Sequence, residues 1–97
     1  MEQAAQDAAE VLKALSNPAR LRLLCALVPR GRTVSELESL LGARQAYVSG
    51  MLMRLRQEGY VEASRDGRTV TYELSDPRIT PILERLYEVF CPVPPAD

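Results

Sequence analysis

The hydrophobic pattern of this chain changes period near residue 60, and that change limits what it can fold into. Up to there, apolar side chains recur at helical spacing. Afterwards Val61 and Ala63 alternate with Glu62 and Ser64, and Val70, Tyr72 and Leu74 alternate with Thr69, Thr71 and Glu73. A period near 3.6 places side chains on one face of a helix, whereas a period of 2 places them on one face of a strand. Between the two alternating runs stands Asp66-Gly67. That dipeptide predicts a two-residue hairpin turn with positive φ at both positions. The chain is therefore a set of helices followed by a two-stranded hairpin.

Punctuation divides the helical part. Ala4, Ala8, Val11, Leu12 and Leu15 form one stripe over residues 4–15. Asn17 is placed to cap a second helix and Pro18 suits its first position. That helix runs to about Val28, with Leu21, Leu24, Cys25 and Val28 predicted to face inward, and Pro29 and Gly31 end it. Thr33-Val34-Ser35-Glu36 is a capping box, in which hydroxyl and carboxylate each bond the other residue's amide. It opens a short third helix with Leu37, Leu40 and Leu41 apolar and Gly42 left-handed at its end. A fourth helix spans roughly Arg44 to Glu58, burying Val48, Leu52 and Leu55 with Met51 beside them, and Gly59 closes it. After the hairpin, Asp76-Pro77 breaks the strand and Thr80-Pro81 starts a last helix, lined by Ile82, Leu83, Leu86, Tyr87 and Phe90. The run at 92–95, with three prolines, stops it.

Composition narrows the function. With 97 residues the chain reads as one domain over residues 1–97, and so small a core gains from dimerisation. No stretch approaches a membrane span, and no basic-then-apolar leader precedes the first helix, so a cytoplasmic protein is expected. There is no histidine, which excludes a Ser-His-Asp triad and histidine acid–base catalysis. No enzyme is expected. Two cysteines with only carboxylates to help them are a weak zinc set, so neither metal nor cofactor is expected.

Net charge is −1, but its distribution is uneven. Residues 20–56 carry seven Arg and two Glu, and both ends of the chain are acidic. A basic centre between acidic ends suits a surface facing nucleic acid, although an Arg-rich solvated surface has the same charge.

Two helices joined by a short glycine-containing turn and followed by a hairpin describe a winged helix-turn-helix, mainly α with a β-hairpin wing. The fourth helix is the one placed to enter the major groove. Near its start Arg44, Gln45, Tyr47, Ser49 and Gly50 point outward; Gln45 suits adenine edges, and Tyr47 and Ser49 suit bases or phosphates. Arg54 and Arg56 suit phosphates, and Arg65 and Arg68 flank the hairpin tip, where they can grip the backbone or enter the minor groove. The same helices used only for protein contacts would make an interaction module that does not bind DNA.

Several segments resemble the ArsR/SmtB family of bacterial repressors in fixed order. They are Leu12 to Leu24 (LKALSNPARLRLL), Val34-Ser35-Glu36-Leu37, Gln45-Ala46-Tyr47-Val48-Ser49, Leu55 to Val61 (LRQEGYV) and Arg68 to Leu74 (RTVTYEL), and the likeness covers about residues 8–91. It implies the order helix, helix, helix, helix, strand, strand, helix, with helix-turn-helix at about 33–59, wing at about 60–75 and a dimerisation helix at about 80–91. It also implies a homodimer through the first and last helices, a near-palindromic double-stranded operator and release by an inducer. Val11, Leu15, Leu83, Leu86, Tyr87 and Phe90 are the interface residues expected on that basis; Tyr87 and Phe90 would also suit a small ligand pocket.

The chain departs from the family at Arg44, where Ser is usual and would cap the helix, and at Gly50 and Met51, where larger polar residues or His are frequent. It lacks the family's Cys-x-Cys in the third helix and the His ligands of the last. Cys25 and Cys91 lie on apolar stripes, and spacing alone favours buried core thiols, with a redox pair as the alternative. Their placement, with the ending Leu86-Tyr87-Glu88-Val89-Phe90-Cys91, resembles the dithiol, persulfide- and redox-responsive subgroup of the BigR and SqrR type. That likeness implies a disulfide or polysulfide bridge between Cys25 and Cys91, formed with reactive sulfur or oxidants as the inducer. A repressor of the same fold answering a metal or a small organic molecule is the alternative.

Overall fold

The computed structural model describes residues 1–91; the proline-rich stop expected at 92–95 lies outside the described residues. In chain order the elements are α1 (Glu2–Ala14), α2 (Pro18–Ala26), α3 (Val34–Leu41), α4 (Gln45–Gln57), β1 (Val61–Asp66), β2 (Thr69–Leu74) and α5 (Ile79–Phe90). This is the order expected of a winged helix-turn-helix.

The local signals act as their chemistry requires. Asn17 Oδ1 accepts from the amides of Ala19 at 2.9 Å and Arg20 at 3.1 Å, which satisfies two orphan donors at the start of α2. The Glu36 amide donates to Thr33 Oγ1 at 3.1 Å and the Thr33 amide to Glu36 Oε1 at 3.0 Å, completing the capping box of α3. Gly42 ends α3 at φ 62°, a left-handed conformation that a side chain would strain. Asp76 Oδ1 accepts from the Arg78 amide at 2.9 Å, turning the chain into α5. That helix begins at Ile79, one residue before the expected Thr80; Pro81 stays within the first turn, where its missing amide costs no hydrogen bond.

The core gathers one face from each helix: Val11 and Leu15 beside α2's Leu23, Leu24 and Leu27, then Leu37, Val48, Leu52, Leu55, Val61, Ile79 and Leu83. Val48, Leu52 and Leu55 are at most 1 % exposed, as the spacing of α4 predicts.

Three expectations are corrected. In α2 the fully buried residues are Leu23, Leu24 and Leu27, while Leu21, Cys25 and Val28 are half-buried on the flank toward α5. An apolar helix with two usable faces does not reveal which one meets the core. In α1, Ala4, Ala8 and Leu12 are exposed, and only Val11 and Ala14, with Leu15 just beyond, turn inward. The hairpin turn falls one residue later than expected. Asp66 pairs with Thr69 as strand, and Gly67-Arg68 forms the turn. Only Gly67 has positive φ, 65°, the pattern of a turn with glycine at its first central position.

Two outcomes follow. Leu52 is 1 % exposed in the core, and Leu52→Ala is expected to cost about 2–5 kcal/mol in urea denaturation. Glu36 is half-buried, and its carboxyl is held down to about 2 from the ordinary 4.5, first by Arg30's hydrogen bond and then by the Thr33 amide. Its stabilising effect is complete above about 4.5 and is lost as pH falls toward about 2. Glu36→Gln is therefore expected to flatten the acid limb of a stability-versus-pH curve across that window.

Candidate nucleic-acid interface and thiol site

The buried stripe of α4 fixes which side chains turn outward. Arg44, at its N-cap, makes no side-chain cap, so the guanidinium is free of the helix it precedes. Arg44, Gln45, Tyr47, Gly50, Arg54 and Arg56 are exposed, whereas Ser49 is half-buried on the flank. On the hairpin, Arg65 and Arg68 are exposed.

Two hollows gather some of these residues. One, of about 520 Å³, lies between the N-terminal turn of α3 and the hairpin, and both Gln45 and Arg68 stand on its wall. The other, of about 410 Å³, is bounded by Asn17 and Arg20 on the α2 side and by Tyr47, Gly50 and Arg54 on α4. Arg44, Arg56 and Arg65 stand outside both.

The thiols come together although they are distant in sequence. Cys25 is half-buried on α2 and Cys91 is exposed at the C-cap of α5. Both line one apolar hollow of about 640 Å³ with Leu21, Leu40, Leu86 and Phe90. Burial, chiefly, pushes the Cys25 thiol up, and the charge of Cys91 pushes it the same way. Cys25 is thus held as a protonated thiol beside a more accessible one, an arrangement suited to attack by Cys91 followed by resolution by Cys25.

The expected interface residues divide. Val11, Leu15 and Leu83 are 3 %, 6 % and 1 % exposed within this chain's own core, so they have no surface to offer a second subunit. Leu86 is half-buried, and Tyr87 and Phe90 are 44 % and 74 % exposed. Leu12 and Val89, which the pattern reading did not select for this role, are 56 % and 59 % exposed. A stripe at helical spacing marks apolar residues without saying which of them the chain itself covers.

Sequence reasoning also missed Arg32. Its amide donates to the Tyr72 carbonyl at 2.9 Å and its carbonyl accepts from the Tyr72 amide at 2.8 Å, adding a short third rung beside β2. Its Nε donates to the Ala26 carbonyl at 2.6 Å, at the C-terminal end of α2. One residue thereby ties the helix carrying Cys25 to the hairpin. At the other end of α2, Arg20 Nη2 donates to Glu58 Oε1 at 2.6 Å, beside the end of α4. No spacing rule reports either contact, because both join residues from different elements.

Comparison with known proteins agrees with this fold. Residues 17–63 match the model of the family described as bacterial regulatory protein, arsR family. The chain is 38 % identical over 91 residues to the biofilm growth-associated repressor of Xylella fastidiosa, covering 94 % of this chain and 80 % of that protein. The crystal structure of the transcriptional repressor BigR from Xylella fastidiosa superposes with a TM-score of 0.86 at 38 % identity, covering 94 % of this chain and 93 % of that one. Reduced HlyU from Vibrio cholerae gives 0.86 at 35 % identity, covering 94 % and 96 %.

The difference in exposure sets an order of reactivity. In the reduced protein iodoacetamide is expected to label Cys91 before Cys25, read by peptide mass spectrometry; equal rates would contradict the sheltering of Cys25.

Proposed function

The chain belongs to the ArsR family of bacterial regulatory proteins, and from that premise we propose that it is a dimeric repressor which leaves its operator when Cys25 and Cys91 become bridged. It is a regulator and not an enzyme. The observation that carries the reading is the shared hollow: two cysteines far apart in sequence line one apolar pocket, close enough for the charge of one to act on the other.

The chemistry balances with a persulfide as the oxidant. The Cys91 thiolate attacks the outer sulfur of R–S–SH, forming a new S–S bond and releasing the thiol R–SH. Cys25, losing its proton to solvent, then attacks the Cys91 sulfur, and hydrosulfide leaves. Two thiols have lost two electrons, and the sulfane sulfur has taken them up as sulfide. Further donor equivalents would lengthen the link to a polysulfide.

The bridge joins the end of α5 to α2. That helix is tied to the hairpin through Arg32 and to the end of α4 through Arg20, so the link bears on both elements proposed to face DNA. Bridging shifts the population away from the arrangement that fits two half-sites. The remaining apolar surface at Leu12, Leu86, Tyr87, Val89 and Phe90 supports pairing of two subunits through α1 and α5. The contacts proposed to DNA are Gln45, Tyr47 and Ser49 toward bases and Arg44, Arg54, Arg56, Arg65 and Arg68 toward the backbone. Among the described residues no helix is long and apolar enough to cross a membrane, and work inside the cytoplasm belongs to the same proposal.

A gel shift with DNA from upstream of the regulated gene tests it. A persulfide donor is expected to release the wild-type protein and to leave Cys25→Ser and Cys91→Ser bound, with mass spectrometry finding the bridge in the released form. Release of the double Cys25→Ser/Cys91→Ser protein by the same donor would refute the thiol trigger.

A further inference from the structure

Gly50 has no local reason to be glycine. It sits inside α4, where glycine is a poor helix residue. Its backbone does not need one, because the glycines with positive φ are Gly42, Gly59 and Gly67. Packing does not need one either, since a Cβ added there would meet no heavy atom within 4 Å. What the missing side chain does is leave one wall of the 410 Å³ hollow open, bringing bare helix backbone to its surface.

The rest of that wall is cationic. Arg54 is exposed and has no acidic partner among the described residues. Arg20 is 18 % exposed; one nitrogen is held by Glu58, and its buried Nε–H has no acceptor. Asn17 is already engaged with the Ala19 and Arg20 amides, so the end of α2 is closed and the guanidinium groups supply the charge. Tyr47 adds an exposed phenol at the rim.

We propose that this hollow seats a phosphate of the DNA backbone, with Arg54 and Arg20 supplying the charge and Gly50 allowing close approach. The proposal rests on the reading of the chain as a DNA-binding protein, and it adds Arg20 to the contact surface and gives Gly50 a role. Glycine recurs where another backbone must come near. A phosphodiester is small, anionic and a strong acceptor, which two guanidinium groups and a phenol match. The hollow borders the helix that also carries Gln45, so a phosphate held here would set the depth at which α4 meets the groove.

Phosphate contacts ignore sequence, so a random-sequence duplex is a sufficient probe for the full, reduced chain. Fluorescence anisotropy across a salt series is expected to show steep salt dependence for the wild type. Arg54→Gln should lower the log–log salt slope by about one per hollow. Gly50→Leu should weaken binding roughly tenfold, and Gly50→Ala should raise the melting temperature while still weakening binding. Lys13→Gln, on the exposed side of α1, should change neither slope nor affinity. Unchanged affinity and slope in both Gly50→Leu and Arg54→Gln overturn the proposal while leaving DNA binding intact. A wild-type chain that ignores the duplex overturns the DNA-binding reading, and the proposal with it. A melting temperature raised by inorganic phosphate at constant ionic strength, with duplex affinity unchanged in the variants, reassigns the hollow to a free anion and also overturns it.

Discussion

Burial of Leu23, Leu24 and Leu27 fixes the position of α2, and the remaining geometry depends on that helix. Each side chain contributes about 1.5–3 kcal/mol when fully buried, so two of its nine residues, with Leu27 at the C-cap, anchor α2 far more strongly than its propensity would. An anchored helix offers fixed attachment points. At one end Arg20 reaches Glu58, beside the end of α4. At the other the Ala26 carbonyl holds Arg32, whose backbone is paired with Tyr72 of β2. Cys25 lies between these ends, on the flank that the core leaves half-covered. A covalent change there acts on a rigid strut attached to both outward-facing elements.

The partner thiol has the opposite character. Cys91 is at the C-cap, and its amide donates to the Tyr87 carbonyl at 2.8 Å. Helix ends open at little cost, whereas helix centres do not. With one thiol on an anchored helix and one at a helix end, the proposed link would be accommodated at the end of α5, away from Ile79 and Leu83, which hold that helix to the core. The proposed release then requires only that the linked and unlinked ends favour different arrangements of α5, which carries most of the exposed apolar surface proposed for the dimer.

What could be read from the sequence was local. Asn17, the Thr33–Glu36 pair and Gly42 each act on backbone within three or four residues, so their spacing states their function. The stripe Val48, Leu52, Leu55 was legible from its helical spacing among polar Gln45, Ser49, Arg54 and Arg56, although Tyr47 and Met53 are exposed on other sides of α4. In α1 and α2 more than one side is apolar, and the pattern could not say which side the chain covers; Val11 and Leu15 accordingly lie in the core and Leu12 outside it. Arg32 was invisible because its partners lie six and forty positions away, on two elements. The meeting of Cys25 and Cys91 was not legible from spacing, which left core and redox readings open; it came from family resemblance, and folding places both thiols on one hollow.

The helix expected to carry sequence recognition has less local support than the helix before it. α3 has a capping box and a left-handed glycine stop. α4 begins at an uncapped Arg44 and contains Gly50. A side-chain cap and an alanine at these two positions would each be worth about 1 kcal/mol, and neither change would touch the core. The helix persists because Val48, Leu52 and Leu55 bury one side completely. Its strengths therefore lie on the inner face and its weaknesses on the outer one. If folding alone governed the outer face, a capping residue at 44 and a helix former at 50 would be the favoured choices. An arginine and a glycine stand there instead, a cation and an open approach, the two properties that the proposed contact with DNA calls for.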